Sequence, residues 1–278
     1  MDPTTWGHYL AATDGSARNH ATSALNETKL QFDEDSHTYW VGNHQKISVT
    51  TLLSQFFQPF DAVLISTFMA KREAKREPMI RDAKQVIWDD WVALRAQAIR
   101  EGWAESRRRG TALHTAIEHY FNTGSRPETV RFRDNGSPYE RPWSTYAHGY
   151  EQFVEYNKTR PPSTHVEVEK RVYYGTVAGS IDAVFHNEDG TVDLVDWKRI
   201  KGLKYRGKPI TTPPFKNWRD CNVTKYNLQL NCYRYMMEQL GYRVRKMSLV
   251  VFSPGKPYQV VDVPRIEAVT NLPWHGAQ

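Results

Sequence analysis

The stretch AGSIDAVFHNEDGTVDLVDWKRI, residues 178–200, contains two apolar runs on either side of the turn-forming Asn187-Glu188-Asp189-Gly190. Short runs rich in Val, Ile and Phe and bounded by turn residues predict two strands joined as a β-hairpin. Asp182 interrupts the first strand between Ile181 and Ala183. On the second strand, Asp196 and Lys198 are two apart and share a face, whereas Trp197 points the other way. Carboxylates projecting together repel strongly at low dielectric unless a cation neutralises them. Mg²⁺ suits that role, with one or two carboxylates, a backbone carbonyl and waters as ligands. The Lys198 ammonium would then hold or help deprotonate a nucleophile and stabilise charge in a phosphoryl transition state. An isolated D-x-K is equally what a hairpin with an Asp196–Lys198 salt bridge presents, so the surrounding sequence has to decide.

Working outward, VEVEKRVYY (166–174) alternates and predicts a third strand, and KMSLVVFSP (246–254) a last one. Between them a helix is expected from about Thr224 to Leu240, stopped by Gly241. Upstream, GTALHTAIEHYFNTG (110–124) carries an apolar stripe of Leu113, Ile117 and Tyr120, with Gly124 just past its end. Residues 125–145, rich in Pro, Gly, Arg and Ser, predict a loop, followed by a helix through TYAHGYEQFVEYNKT that Pro161-Pro162 stops. Residues 29–49 predict a hairpin or three-stranded meander, after which Ser48 or Thr50 caps a helix through TTLLSQFF. Ala62 to Trp103 is helix-prone and interrupted by Pro78. The expected fold class is α/β: a central mixed β-sheet from about 165–200 and 246–262, flanked by helices.

The two flanking helices add chemistry. His114 and Glu118 fall one turn apart on one helix face and make a metal-ligand or ligand-orienting pair. Gly110, one turn earlier, leaves room for a phosphate or a strand to approach. Gln229 and Tyr233, also one turn apart, can reach one phosphate or base. The run KRIKGLKYRGKP, with Arg199, Lys201 and Lys204, leaves the end of the D-x-K strand and is suited to tracking a phosphate backbone. Arg107, Arg108 and Arg109 lead straight into the His114 helix. A solvated basic surface is the competing explanation for both runs.

The totals agree. A net charge of +6 favours a polyanionic partner. Two cysteines, Cys221 and Cys232, cannot by themselves hold a four-Cys zinc or iron–sulfur site and read as structural thiols of a reducing compartment. No apolar run is long enough for a membrane span, and the first residues lack a secretory pattern. An intracellular protein is expected, with 1–28 as a flexible lead-in.

The order G-T-x-x-H-x-x-I-E (110–118), A-G-S-I-D (178–182), V-D-W-K (195–198) and Q-x-x-x-Y (229–233) resembles the RecB-like branch of the PD-(D/E)XK nucleases. That branch includes RecB and AddB nuclease domains and the mitochondrial genome maintenance exonuclease, and the sequence also resembles nucleases of large DNA viruses and phages. The resemblance implies a restriction-endonuclease-like core over 109–278, with residues 29–108 forming an N-terminal hairpin and a basic helical arch over the substrate. It implies His114, Asp182 and Asp196 as ligands of one or two Mg²⁺ or Mn²⁺ ions, assisted by the Trp197 carbonyl, and Lys198 as catalytic lysine. Glu118 resembles a supporting carboxylate, Gln229 and Tyr233 the motif that positions DNA, and Glu169, more loosely, a further acidic position. Ser180-Ile181 replaces the proline of the superfamily's name, and the cysteines of its cluster-containing members are absent, so no iron–sulfur cluster and no nucleotide cofactor are expected. The implied activity is exonucleolytic hydrolysis of single-stranded or end-containing DNA. An endonuclease cutting structured DNA or RNA, and a catalytically silent nucleic-acid-binding module, are the alternatives.

Overall fold

The computed structural model describes residues 30–276, except 34–35, 37, 135–136 and 144–148. The lead-in expected over 1–28 lies outside these residues, as do Thr145–His148 of the helix expected from Thr145.

The meander forms as β1 (Leu30–Asp33), β2 (Thr38–Val41) and β3 (His44–Ser48), antiparallel throughout. Ser48 caps α1 (Val49–Ser54), its side chain accepting the Thr51 N–H at 3.0 Å. The helix-prone region becomes α2 (Ala62–Ala74), the single turn α3 (Pro78–Arg81) and α4 (Gln85–Thr123). Pro78 occupies the first position of its turn, where its missing N–H costs nothing.

The 39-residue α4 runs unbroken through the triple arginine and Gly110, across the point where the core was expected to begin. Its Ala, Arg, Gln and Glu content outweighs one helical glycine, which costs only about 1 kcal/mol. The expected loop at 125–145 is corrected: β4 (Thr129–Asp134) and β5 (Ser137–Pro142) pair as a separate antiparallel hairpin. Flanking Gly, Ser and Pro residues outweigh the short Thr-Val-Arg-Phe alternation when composition alone is read. After α5 (Tyr150–Thr159) come β6 (His165–Tyr174), β7 (Val177–His186) and β8 (Thr191–Arg199). Then α6 (Asn222–Gln239) crosses to β9 (Arg243–Phe252), which lies parallel to β8, and β10 (Gln259–Asp262) closes the edge.

The main sheet therefore has eight strands in the order β1-β2-β3-β7-β8-β9-β10, with β6 along the other edge of β7. It is mixed, as expected, but larger, because β3 joins β7 in parallel at Ile47↔Val177 and Ser48↔Ala178. On one face Leu228, Met236 and Met237 of α6 and Leu52 and Leu53 of α1 pack against Val177, Ile181, Leu194 and Leu249. On the other, Leu113 and Ile117 of α4 and Phe153 of α5 cover Ala183, Phe185, Val195 and Trp197. Burying each such side chain contributes about 1.5–3 kcal/mol. The carboxylate-bearing strands are thus clamped between the two expected helices. Among the described residues, no helix is long and apolar enough to cross a membrane.

Candidate metal centre

Strand β7 pairs with β6 along one edge at every position but Asp182, and its other edge is shared between β3 at 177–178 and β8 at 183–186. The gap between them is where the sheet splays and Asp182 sits. Instead of a ladder carbonyl, the Asp182 carboxylate accepts the Trp197 N–H at 2.7 Å. The regular β6–β7 register also skips Asp182 and its neighbour Glu169. Glu169 has φ +48°, a left-handed conformation uncommon outside glycine, asparagine and aspartate.

Around this gap, His114 Nδ1 lies 3.7 Å from Asp182 Oδ2 and 4.0 Å from Glu169 Oε1. His114, Glu169 and Asp182 each place a ligand atom within 4.8 Å of the other two. His114 Nε2 lies 2.9 Å from the Trp197 carbonyl, which can only accept, so Nε2 carries the ring proton. Nδ1 then faces the two carboxylates, and the three groups together make a donor set that suits a divalent cation. Burial and the Asp182 charge raise the Glu169 carboxyl to about 7, against a hydrogen bond from Ser180 Oγ at 2.8 Å. Ser180, of the Ser180-Ile181 pair that replaces the superfamily's proline, thus steadies an acidic ligand candidate.

Asp196 and Lys198 lie behind this group. Asp196 is 2% exposed, and Lys198 Nζ sits 2.8 Å and 2.7 Å from its two oxygens. Burial lifts the Asp196 carboxyl to about 6, the Asp182 charge adds to this, and Lys198 opposes it. Burial alone would lower the Lys198 pKa, but Asp196 and Asp182 together hold it above its ordinary value. Lys198 is therefore an ammonium, suited to stabilising negative charge rather than to taking a proton.

The cleft over the centre has a volume of about 400 Å³. His114, Glu118, Glu169, Asp182, Gln229 and Tyr233 all line it, so elements more than a hundred residues apart converge as expected. Asp196 and Lys198 are not part of its lining. Gln229 Nε2 donates to Tyr233 Oη at 3.3 Å, and Tyr233 lies so close to Gly179 that an added Cβ would come within 2.6 Å of its ring. Gly179 is thus the glycine that close packing requires. Around Gly110, an added Cβ would meet no atom within 4 Å beyond its own helix among the described residues, so no described strand approaches it.

The basic residues are dispersed. Arg107, Lys201 and Lys204 are exposed. Arg108 and Arg109 pair with Glu105 at 3.4 and 2.7 Å, and Arg199, its pKa lowered by burial, is close enough to Arg109 to be lowered further. None of these lines the cleft.

Sequence reasoning missed Phe32, Tyr39, Thr50 and Arg171, which wall the cleft from the meander, α1 and β6. Arg171 follows Glu169 at strand spacing, the one signal available; the others depend on the β3–β7 pairing, which leaves no local trace. Cys221 and Cys232 are both buried and free, in keeping with structural thiols.

No curated protein matches the chain. A solved structure described as "Crystal structure of SSO0001" aligns at 14% identity over 75% of this chain and 82% of that one, with a TM-score of 0.30. The family model described as PD-(D/E)XK nuclease superfamily matches residues 89–269, about two thirds of the sequence and all four motifs. The mixed sheet flanked by helices is the restriction-endonuclease-like architecture that goes with it. The chain belongs to the PD-(D/E)XK nuclease superfamily.

Proposed function

We propose that this nuclease is a Mg²⁺- or Mn²⁺-dependent deoxyribonuclease of the RecB-like branch, acting as an exonuclease on single-stranded or end-containing DNA. The observation that carries the reading is the convergence of His114, Glu169 and Asp182 beside the ion pair of buried Asp196 with Lys198. In this reading His114 and Asp182 are the central ligands, with Glu169 as a flanking carboxylate and Asp196 adding its charge from behind. The Trp197 carbonyl assists by orienting His114 through Nε2 rather than as a direct ligand beside Nδ1. The bound ion or ions supply Lewis-acid activation of the phosphodiester. Lys198 stabilises charge on the phosphoryl oxygens, Glu118 supports the ligands, and Gln229 and Tyr233 hold the strand. Arg107, Arg108, Arg109, Arg199, Lys201 and Lys204 guide the rest of the backbone by its charge.

The exonuclease preference rests on the walls. Phe32 and Tyr39 from the meander and Gln229 and Tyr233 from α6 line the cleft beside the acidic group, and aromatic rings there suit the unstacked bases of a single strand better than a duplex. Such an activity fits DNA repair, recombination or replication.

End-labelled linear and closed circular DNA, single- and double-stranded, with an RNA control, tests this in Mg²⁺, Mn²⁺ and EDTA. Linear single strands should be degraded from an end, only with metal. Cleavage of closed circles would make the protein an endonuclease, and preference for RNA would overturn the substrate class.

A further inference from the structure

A second cleft, of about 320 Å³, adjoins the first and shares Thr50 and Gln229 with it. Most of its remaining wall is apolar and aromatic, from Leu53 of α1, Phe57, Pro59 and Phe60 of the α1–α2 connection, and Tyr226 of α6, with Ser54, Gln58 and Lys225 as its polar part. Lys198 Nζ stands 4.9 Å from the centre of the Tyr226 ring, so the cleft lies one aromatic ring away from the buried Lys198–Asp196 pair.

The cleft is tied in place at its polar rim. Asp220 accepts the Gln58 N–H at 2.9 Å with one oxygen and pairs with Lys225 at 2.9 Å through the other. Lys225 lies over the Phe57 ring at 4.7 Å. Phe60 rests edge-on against Trp103 of α4 yet is 64% exposed. A water-facing phenylalanine at the mouth of an aromatic cleft offers a flat apolar face that the described residues leave uncovered.

We propose that this second cleft takes a nucleobase of the strand whose phosphate lies at the metal centre, stacked against Phe57 and Phe60. The proposal rests on the nuclease reading above and extends it. The occupant follows from continuity: a strand gripped by Gln229 in the first cleft has its neighbouring nucleotide at the shared wall. Aromatic faces bind any base by stacking, without reading its edge. A base can enter only when unstacked and unpaired, so the cleft selects for single-stranded substrate or frayed ends.

The test uses the full chain and a fluorescein-labelled single-stranded oligodeoxythymidine, with anisotropy read in EDTA so that nothing is cut. Phe60→Ala and Phe57→Leu should each weaken binding by about 5- to 150-fold, the range for loss of one stacking face. Phe60→Trp should bind like the wild type. Phe60 is largely exposed and Phe57→Leu keeps the apolar volume, so thermal melts should show both variants folded. A single abasic nucleotide walked along the strand should weaken wild-type binding at one position and add nothing further in Phe60→Ala. In Mg²⁺ the same two variants should raise KM and leave kcat unchanged.

Wild-type binding by both variants, with a flat abasic scan, overturns the base site while leaving the nuclease reading intact. Weakened binding by both variants in a chain that cuts no substrate upholds the base site and overturns the nuclease reading. A wild type that neither binds nor cuts overturns both.

Discussion

The two ends of the β7–β8 hairpin differ in what holds them together. At the turn end, Ala183↔Val195 to His186↔Val192 pair in unbroken register, and Ala183, Val184, Leu194 and Val195 are buried in the two main cores. At the open end the ladder stops, a carboxylate takes a backbone N–H, and Asp182, Glu169 and His114 crowd together, their charge only partly offset by Arg171 and Lys198. The first arrangement stabilises the fold through burial and hydrogen bonding. The second concentrates like charge where burial raises the cost of ionising it, and such local conflict is expected at functional sites. Substitutions at the open end should therefore change activity and metal binding more than the fold, with Asp196 as the exception.

The largest expected effect is on catalysis. Asp182→Asn keeps the side chain's shape and its acceptor for the Trp197 N–H but removes the charge; kcat should fall by about 10³-fold or more, with the melting temperature nearly unchanged. Activity within tenfold of wild type would break the assignment. Next comes Asp196→Ala, which leaves the Lys198 ammonium, only 16% exposed, without its partner; the cost should lie near the low end of the range of about 3–5 kcal/mol for breaking a fully buried pair. Urea unfolding measures this, and an unchanged midpoint would mean that the pair is not buried in solution. The contrast between the two aspartates sharpens the comparison: one acts at the surface of the cleft, the other within the packed layer behind it.

Glu169→Gln should have the smallest effect on the fold, and it depends on pH. The wild-type carboxyl titrates near 7 when folded, above its ordinary value, chiefly through burial and the Asp182 charge. Between the unfolded pKa and 7 the folded form holds a proton that the unfolded form has lost, so stability declines as pH rises through that window. Without metal, the glutamine variant should match the wild type at low pH and exceed it above pH 7. After allowing for the side chain's 34% exposure, the gain is about 1 kcal/mol. Equal melting temperatures for both proteins at pH 5 and pH 8 would contradict the strain ascribed to this position.

The hairpin, its D-x-K face and the two helices were legible because they follow short periods: two for a strand, three or four for a helix. Asp182, Asp196 and Lys198 needed only local alternation and a turn to be read together. Glu169 was only loosely legible, since its entry into the cleft depends on a positive φ that no residue pattern announces. Tyr39 and Phe32 were illegible as site residues because they reach it through a two-residue parallel contact between β3 and β7, more than a hundred positions apart. Asp196 was legible as a partner in the site but not as a buried one, since strand periodicity assigns a face without saying how deeply α6 covers it.

The central claim, that the open end of the hairpin is a metal centre, is tested most directly by Mn²⁺ titration followed by electron paramagnetic resonance. Wild type, Asp182→Asn and a turn-end control, Gly190→Ala, would be compared. Gly190 has φ +73°, so alanine there strains the turn by about 1–2 kcal/mol without touching the cleft. Saturable binding of one or two ions in the wild type and the control, lost or weakened by at least about tenfold in Asp182→Asn, is the predicted result. Equal Mn²⁺ affinity in all three proteins would contradict it.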